Sequence, residues 1–187
     1  MNRPDGTIIR PVEVRDLPFT RRSRSNRDLR VDTLGRPFPI TELNEQMWFE
    51  SLGKGSFPSQ VVWIVEDASG ESVGLVQLTE IHWIHRTAKF GLWIAPDHRG
   101  QKHATHALEY ACDFGFLDLG LRQIRLDVLD TNTRAIALYQ KQGFEHEATF
   151  RNAVFVSGSL ANIIHMVVHC PSERLSSEDD LKAKKAL

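Results

Sequence analysis

The stretch PDHRGQKHAT (96–105) joins an apolar run, FGLWI (90–94), to an amphipathic segment that begins at Ala104. A strand that feeds a compact loop at a helix N-terminus gathers backbone N–H groups without intrahelical partners at the positive end of the helix dipole. That arrangement binds phosphate. The same residues would also serve as an ordinary strand-to-helix turn, and local physics does not separate the two readings. The pairs His82/His85 and His103/His106 invite a metal reading, but neither has the further ligands at a spacing that zinc needs, so no metal is expected. The other concentrated charge is RRSRSNRDLR (21–30), with Arg21, Arg22, Arg24, Arg27 and Arg30. It reads as a solvated face, or else as an anion-recognising surface beside the substrate.

The elements that position these residues follow from periodicity and turn chemistry. Residues 7–14 read as a first strand, at a sheet edge because Pro11 lacks an N–H. Asp16 is placed to cap a short helix holding Leu17 and Phe19. After a loop marked by Gly35, Pro37 and Pro39, Thr41 starts a helix with Leu43, Met47, Trp48 and Leu52 on one side. Runs 61–65, 72–80 and 89–94 predict an antiparallel meander, its first turn made by DASG (67–70). Beyond the loop, Ala104, Leu108, Ala111, Cys112, Gly115, Phe116 and Leu119 form one apolar helical stripe that closes at Gly120. Ile124, Leu126 and Val128 alternate with polar neighbours as a strand, and Asp130-Thr131-Asn132 caps a short helix ended by Gly143. Residues 145–156 and 160–169 pair as a closing hairpin around Ser157-Gly158. The order β-α-α-β-β-β-α-β-α-β-β predicts an α+β (mixed α/β) fold: a central, largely antiparallel sheet of about seven strands with helices on both faces. The strands before and after the loop–helix unit can run parallel through that crossover.

Composition limits the function classes. The 187 residues, 41% hydrophobic and 25% charged, suffice for one core, so residues 1–170 are expected to form a single domain and 171–187 a flexible tail. A formal net charge of −1 provides no global field for nucleic acid or for an acidic membrane. Cys112 and Cys170 read as reduced thiols, no apolar leader follows Met1, and no run approaches a membrane span. The expectation is a cytoplasmic protein.

Three segments, in this order, resemble the GNAT superfamily of acetyl-CoA-dependent N-acetyltransferases. RGQKHA (99–104) looks like its pyrophosphate loop, Q/R-x-x-G-x-G/A. DTNTRAIALYQKQGF (130–144) looks like its N-x-x-A-x-x-L-Y-x-x-x-G-F segment, and SGSLANIIHMVV like its closing hairpin. The resemblance covers residues 7–169, strongest over 90–144, and is similar to the spermidine and ribosomal-protein N-terminal acetyltransferase branches.

The resemblance implies acetyl-CoA as the co-substrate, its pyrophosphate held by Arg99, Gly100, Gln101, Lys102, His103, Ala104 and Thr105. By the same likeness, a cleft between the fourth and fifth strands would carry the pantetheine, with a backbone N–H near Trp93 or Ile94 polarising the thioester oxygen. Asn132 would contact the cofactor, and Tyr139 would stand by its sulfur as the acid. Glu80, at the end of the third strand, is the expected base, acting through water on an amine that attacks the thioester directly. The family's usual glycine is replaced at Lys102. A residue held there at positive φ costs about 1–2 kcal/mol, whereas a helical conformation would be tolerated and would bring the ammonium to a phosphate. The acceptor would be a primary amine, on a small molecule or a peptide N-terminus. A polyamine needs an acidic cleft, and DTLGRPFPIT (32–41) offers only Asp32 beside the arginine run, which counts against it. A polyamine acetyltransferase and a non-catalytic acetyl-CoA-binding module are the other readings, and the closing hairpin is a surface through which subunits could pair.

Overall fold

A computed structural model of the chain describes residues 6–35 and 37–171. Strand β1 (Ile8–Pro11) takes the sheet edge, as Pro11 requires, and pairs antiparallel with β2 (Val61–Glu66). β2, β3 (Ser72–His82) and β4 (Thr87–Ile94) form the expected meander. All but the first residue of β2 are buried, which is why VVWIVE is a continuous apolar run and not an alternating one. At the following turn the Asp67 carboxylate accepts from the N–H groups of Ser69 and Glu71.

Helix α4 (His103–Asp113) carries the chain over the sheet to β5 (Gln123–Leu129), which lies parallel to β4. α4 buries Ala107, Leu108 and Ala111, and its stripe continues through a π-turn, Phe114–Asp118. Gly115 permits that close approach: a Cβ there would stand 2.8 Å from Cδ1 of Ile124. Helix α5 (Thr133–Lys141) then leads to the hairpin of β6 (Glu145–Val156) and β7 (Ser159–His169). Ser157 and Gly158, with φ of 50° and 90°, supply the two positive angles that a tight hairpin turn demands. The result is a seven-stranded sheet in the order β1-β2-β3-β4-β5-β7-β6. Ile64, Val65, Val76, Leu78, Leu108, Ile124 and Met166 are completely buried.

The N-terminal third departs from expectation. The arginine-rich run is helical, as α1 (Leu17–Ser25) and α2 (Arg27–Asp32), and with α3 (Glu42–Ser51) three helices precede β2 instead of two. Asn26 starts α2 by accepting from the Leu29 N–H. Asp16 makes no side-chain cap bond to α1. It is 2% exposed and accepts from Arg10 at 2.7 and 2.8 Å, from the Glu13 N–H and from the Ser72 hydroxyl. Burial works to raise its carboxyl, but those bonds outweigh it and hold the group below the usual carboxylate range. The expected apolar face of α3 holds in part: Trp48 and Leu52 pack against Leu29, Val62, Leu75 and Trp93. Leu43 and Met47 are exposed, while Glu45 is buried and satisfied by the Thr20 hydroxyl at 2.7 Å and Arg24 at 2.9 Å. No helix among the described residues is long and apolar enough to cross a membrane. The expected tail, 172–187, lies outside the described residues.

Candidate active site

β4 and β5 are in register only at Thr87–Gln123, Ala88–Ile124 and Lys89–Arg125. Beyond that point β4 continues on β3 to Ile94 and β5 continues on β7 to Leu129, with no rung between them. The sheet therefore opens as a V, and the β4 edge from Phe90 to Ile94 keeps alternate backbone polar groups without a strand partner. Such groups need a ligand or water. Two cavities flank the opening, of about 600 and 490 Å³, and Leu92, Trp93 and Tyr139 line both.

The smaller cavity is built on the loop and the N-terminus of α4. Arg99 ties the loop to the end of β4 by donating its Nε–H to the Ile94 carbonyl at 3.2 Å. Gly100 has φ of 86°, and Lys102 has φ of 66° and ψ of −2°. Lys102 thus takes the strained, left-handed alternative and not the helical one, at a cost of about 1–2 kcal/mol. Trp93, Ile94, Ala104, Thr105 and Asn132 line the cavity as well. Asn132 caps α5 by accepting from the Ala135 N–H at 3.2 Å. His103 lines the cavity but is 4% exposed and bonded through Nδ1 to Thr7 Oγ1 at 2.9 Å, which ties the loop to the residue before β1. Gln101 is exposed and does not line it.

Two cations not singled out from the sequence, Arg134 and Lys141, join Arg99 and Lys102 in this lining, where Asp32 is the sole carboxylate and is bonded to Arg99 at 3.1 Å. The helical spacing of Arg134, Leu138 and Lys141 was the available signal, since all three line the cavity. Four cations, a helix N-terminus and an unpaired strand edge fit a ligand with several phosphates at one end and an amide-bearing chain at the other, as CoA has.

Tyr139 is 9% exposed. Phe90 packs edge-on against its ring at 6.1 Å and Phe144 lies at 5.8 Å. Burial pushes its phenol up to about 12, so it is a neutral donor at neutral pH. The larger cavity beside it is lined by Arg24, Arg30 and Lys89 and by two carboxylates, Asp32 and Asp127. Asp127 accepts from Lys89 at 2.7 Å and is bonded to His165 Nδ1 at 2.7 Å. Burial works to raise that carboxyl, but the bonds from Lys89 and His165 prevail and hold it below the usual range.

Glu80 stands near the end of the third strand, as expected. β3 runs on to His82 through an irregularity between Thr79 and His82, with Glu80 at φ of 49°. Thr79 lines the larger cavity, Glu80 lines neither, and its carboxylate is bonded to Arg125 at 2.8 Å. Among the described residues no three His, Cys, Asp or Glu side chains converge as a metal site would require, and His82 stacks on His85 at 4.1 Å.

The opened sheet, the phosphate-binding loop and the buried phenol define a class of acyl-CoA-dependent transferase. Residues 7–145 match the acetyltransferase (GNAT) domain, and the chain belongs to that family, as an N-acetyltransferase with acetyl-CoA as co-substrate. It is 30% identical over 160 residues to spermidine N(1)-acetyltransferase of Vibrio cholerae, covering 86% of this chain and 91% of that protein. The Escherichia coli K12 spermidine N(1)-acetyltransferase is 31% identical over 160 residues, covering 86% of this chain and 84% of that protein. Among solved structures, the Vibrio cholerae spermidine N-acetyltransferase in complex with CoA and spermine superposes with a TM-score of 0.81 at 29% identity, over 87% of this chain and 95% of that one.

Proposed function

We propose that the chain passes the acetyl group of acetyl-CoA directly to a primary amine seated in the 600 Å³ cavity, with the thioester lying beside Tyr139 where the two cavities meet. The observation that carries this reading is the loss of β4–β5 pairing beyond Lys89, with Tyr139 common to both cavities. The α4 N-terminus, Arg99, Lys102, Arg134 and Lys141 hold the phosphates; Asn132, Ala104 and Thr105 line the path between them and the sulfur. An unpaired N–H of β4 near Trp93 or Ile94 receives the thioester oxygen as it gains charge. The neutral amine nitrogen bonds to the carbonyl carbon, the carbon–sulfur bond breaks, the sulfur leaves with its electron pair, and the proton shed by the nitrogen passes to water. Tyr139 donates a hydrogen bond to that sulfur. A free thiol sits near 8.5, so a phenol pushed up to about 12 keeps its proton and stabilises the thiolate without losing it. Thiol release from acetyl-CoA with a panel of amines tests the reading; acetyl-CoA binding without release from any amine would contradict it.

The names of the Vibrio and Escherichia relatives support a polyamine as acceptor, the second reading. A peptide N-terminus is the third, and a non-catalytic acetyl-CoA module would bind without turnover. We also propose a cytoplasmic homo-oligomer. Supporting assembly, another Vibrio cholerae spermidine N-acetyltransferase structure is described as dodecameric, at a TM-score of 0.77 and 28% identity over 91% of this chain and 96% of that one. Phe150, Phe155 and Leu160 are also exposed on the β6–β7 hairpin.

A further inference from the structure

Resting on the acetyl-transfer reading above, we propose that the acceptor is an amine that also carries an anionic group, a carboxylate or a phosphate, which Arg30 recognises. The acceptor cavity presents Arg24, Arg30 and Lys89 against Asp32 and Asp127. Both carboxylates are committed, Asp32 to Arg99 at 3.1 Å and Asp127 to Lys89 and His165 at 2.7 Å each. Arg24 is compensated too: it pairs with Glu45 at 2.9 Å and lies over the Trp48 ring at 5.0 Å. Arg30 is different. Its Nε is buried without a hydrogen-bond partner among the described residues.

Arg30 thus lines the cavity with no ion pair among the described residues, unlike Arg24 and Lys89, and a carboxylate or phosphate bound at its guanidinium compensates that charge. A polyamine meets the reverse situation. It brings several ammonium groups to a cavity whose carboxylates are already bonded and whose unpaired Arg30 repels it. The same cation also favours the chemistry, because a nearby positive charge disfavours the ammonium form of the bound amine and enriches the neutral nucleophile. That eases the demand for a base in a cavity where each lining carboxylate is engaged.

The test measures thiol release at saturating acetyl-CoA with matched amines: 4-aminobutyrate against butylamine, phosphoethanolamine against ethanolamine, and spermidine and putrescine as cations. The expected result is a kcat/KM at least about tenfold higher for the anionic member of one pair, which also tells carboxylate from phosphate. Arg30→Gln should erase about tenfold of that advantage, Arg30→Lys should restore part of it, and added salt should raise the KM of the natural protein for the anionic amine. Spermidine or putrescine outrunning every anionic amine would overturn the proposal while leaving acetyl transfer intact, as would an advantage untouched by Arg30→Gln in a folded variant. No release from any amine, by protein that binds acetyl-CoA, would remove the transfer reading and the proposal with it.

Discussion

Replacing Lys102 by glycine separates the two contributions this residue makes. Its backbone is left-handed, with φ of 66°, and a residue with a Cβ pays about 1–2 kcal/mol there. Glycine removes that strain but adds about 0.5–1 kcal/mol of unfolded-chain entropy. The balance is a stabilisation of about 0.5–1 kcal/mol, or a rise in Tm of roughly 1–4 °C for a chain of this size. The side chain is exposed at the mouth of the cofactor cavity, so its ammonium contributes at most about 1 kcal/mol to phosphate binding. Lys102→Gly should therefore be more stable and bind acetyl-CoA up to about fivefold more weakly. Thermal unfolding followed by circular dichroism and calorimetric titration with acetyl-CoA read the two effects separately. A drop in Tm would refute the strain argument. A loss of affinity beyond about a hundredfold would mean that Lys102, and not the helix N-terminus, is the main phosphate anchor.

Asp16→Asn should cost about 3 kcal/mol in denaturant unfolding, the low end for breaking a buried ion pair, because Arg10 keeps Glu66 at 2.6 Å. Since the folded-state carboxyl lies below its unfolded value near 3.9, the stability it contributes is complete above that value and disappears as pH falls through the folded one. The natural protein should therefore lose stability on acidification more steeply than the variant, and parallel pH curves would contradict this. Gly74→Ala places a Cβ 2.6 Å from the Trp93 carbonyl, which should destabilise by about 1–3 kcal/mol and weaken acetyl-CoA binding by shifting the end of β4. Unchanged Tm and affinity would show that β4 yields freely there.

The strand–loop–helix unit around 90–113 and the short helix that carries Tyr139 were legible because their signals are local: a polar loop between a strand and a periodic helix, and an asparagine cap. The meander and the parallel crossover were legible for the same reason. The irregularity between Thr79 and His82 was not legible, because it breaks simple alternation and a one-residue slip exchanges the faces of a strand. Helix α2 is six residues long and arginine-rich, too short to show an apolar period. Asp16 looked like a cap because its partners Arg10 and Ser72 come from two strands, and Ser72 lies 56 residues away. Arg30 and Lys89 meet in the larger cavity, and Arg134 and Lys141 join Arg99 and Lys102 in the smaller one, only once the chain is folded, and no spacing between the segments encodes that.

The most direct test of the central claim is the rate of CoA release by Tyr139→Phe, measured beside its acetyl-CoA affinity. Phenylalanine keeps the ring packed between Phe90 and Phe144 and removes only the hydroxyl. If Tyr139 supports the departing sulfur, kcat should fall by about 10²–10³-fold, as for loss of a hydrogen-bond donor to charge that develops in the transition state, while acetyl-CoA affinity stays within about threefold. A variant that releases CoA at the natural rate would contradict the assignment and move the chemistry away from the point where the two cavities meet.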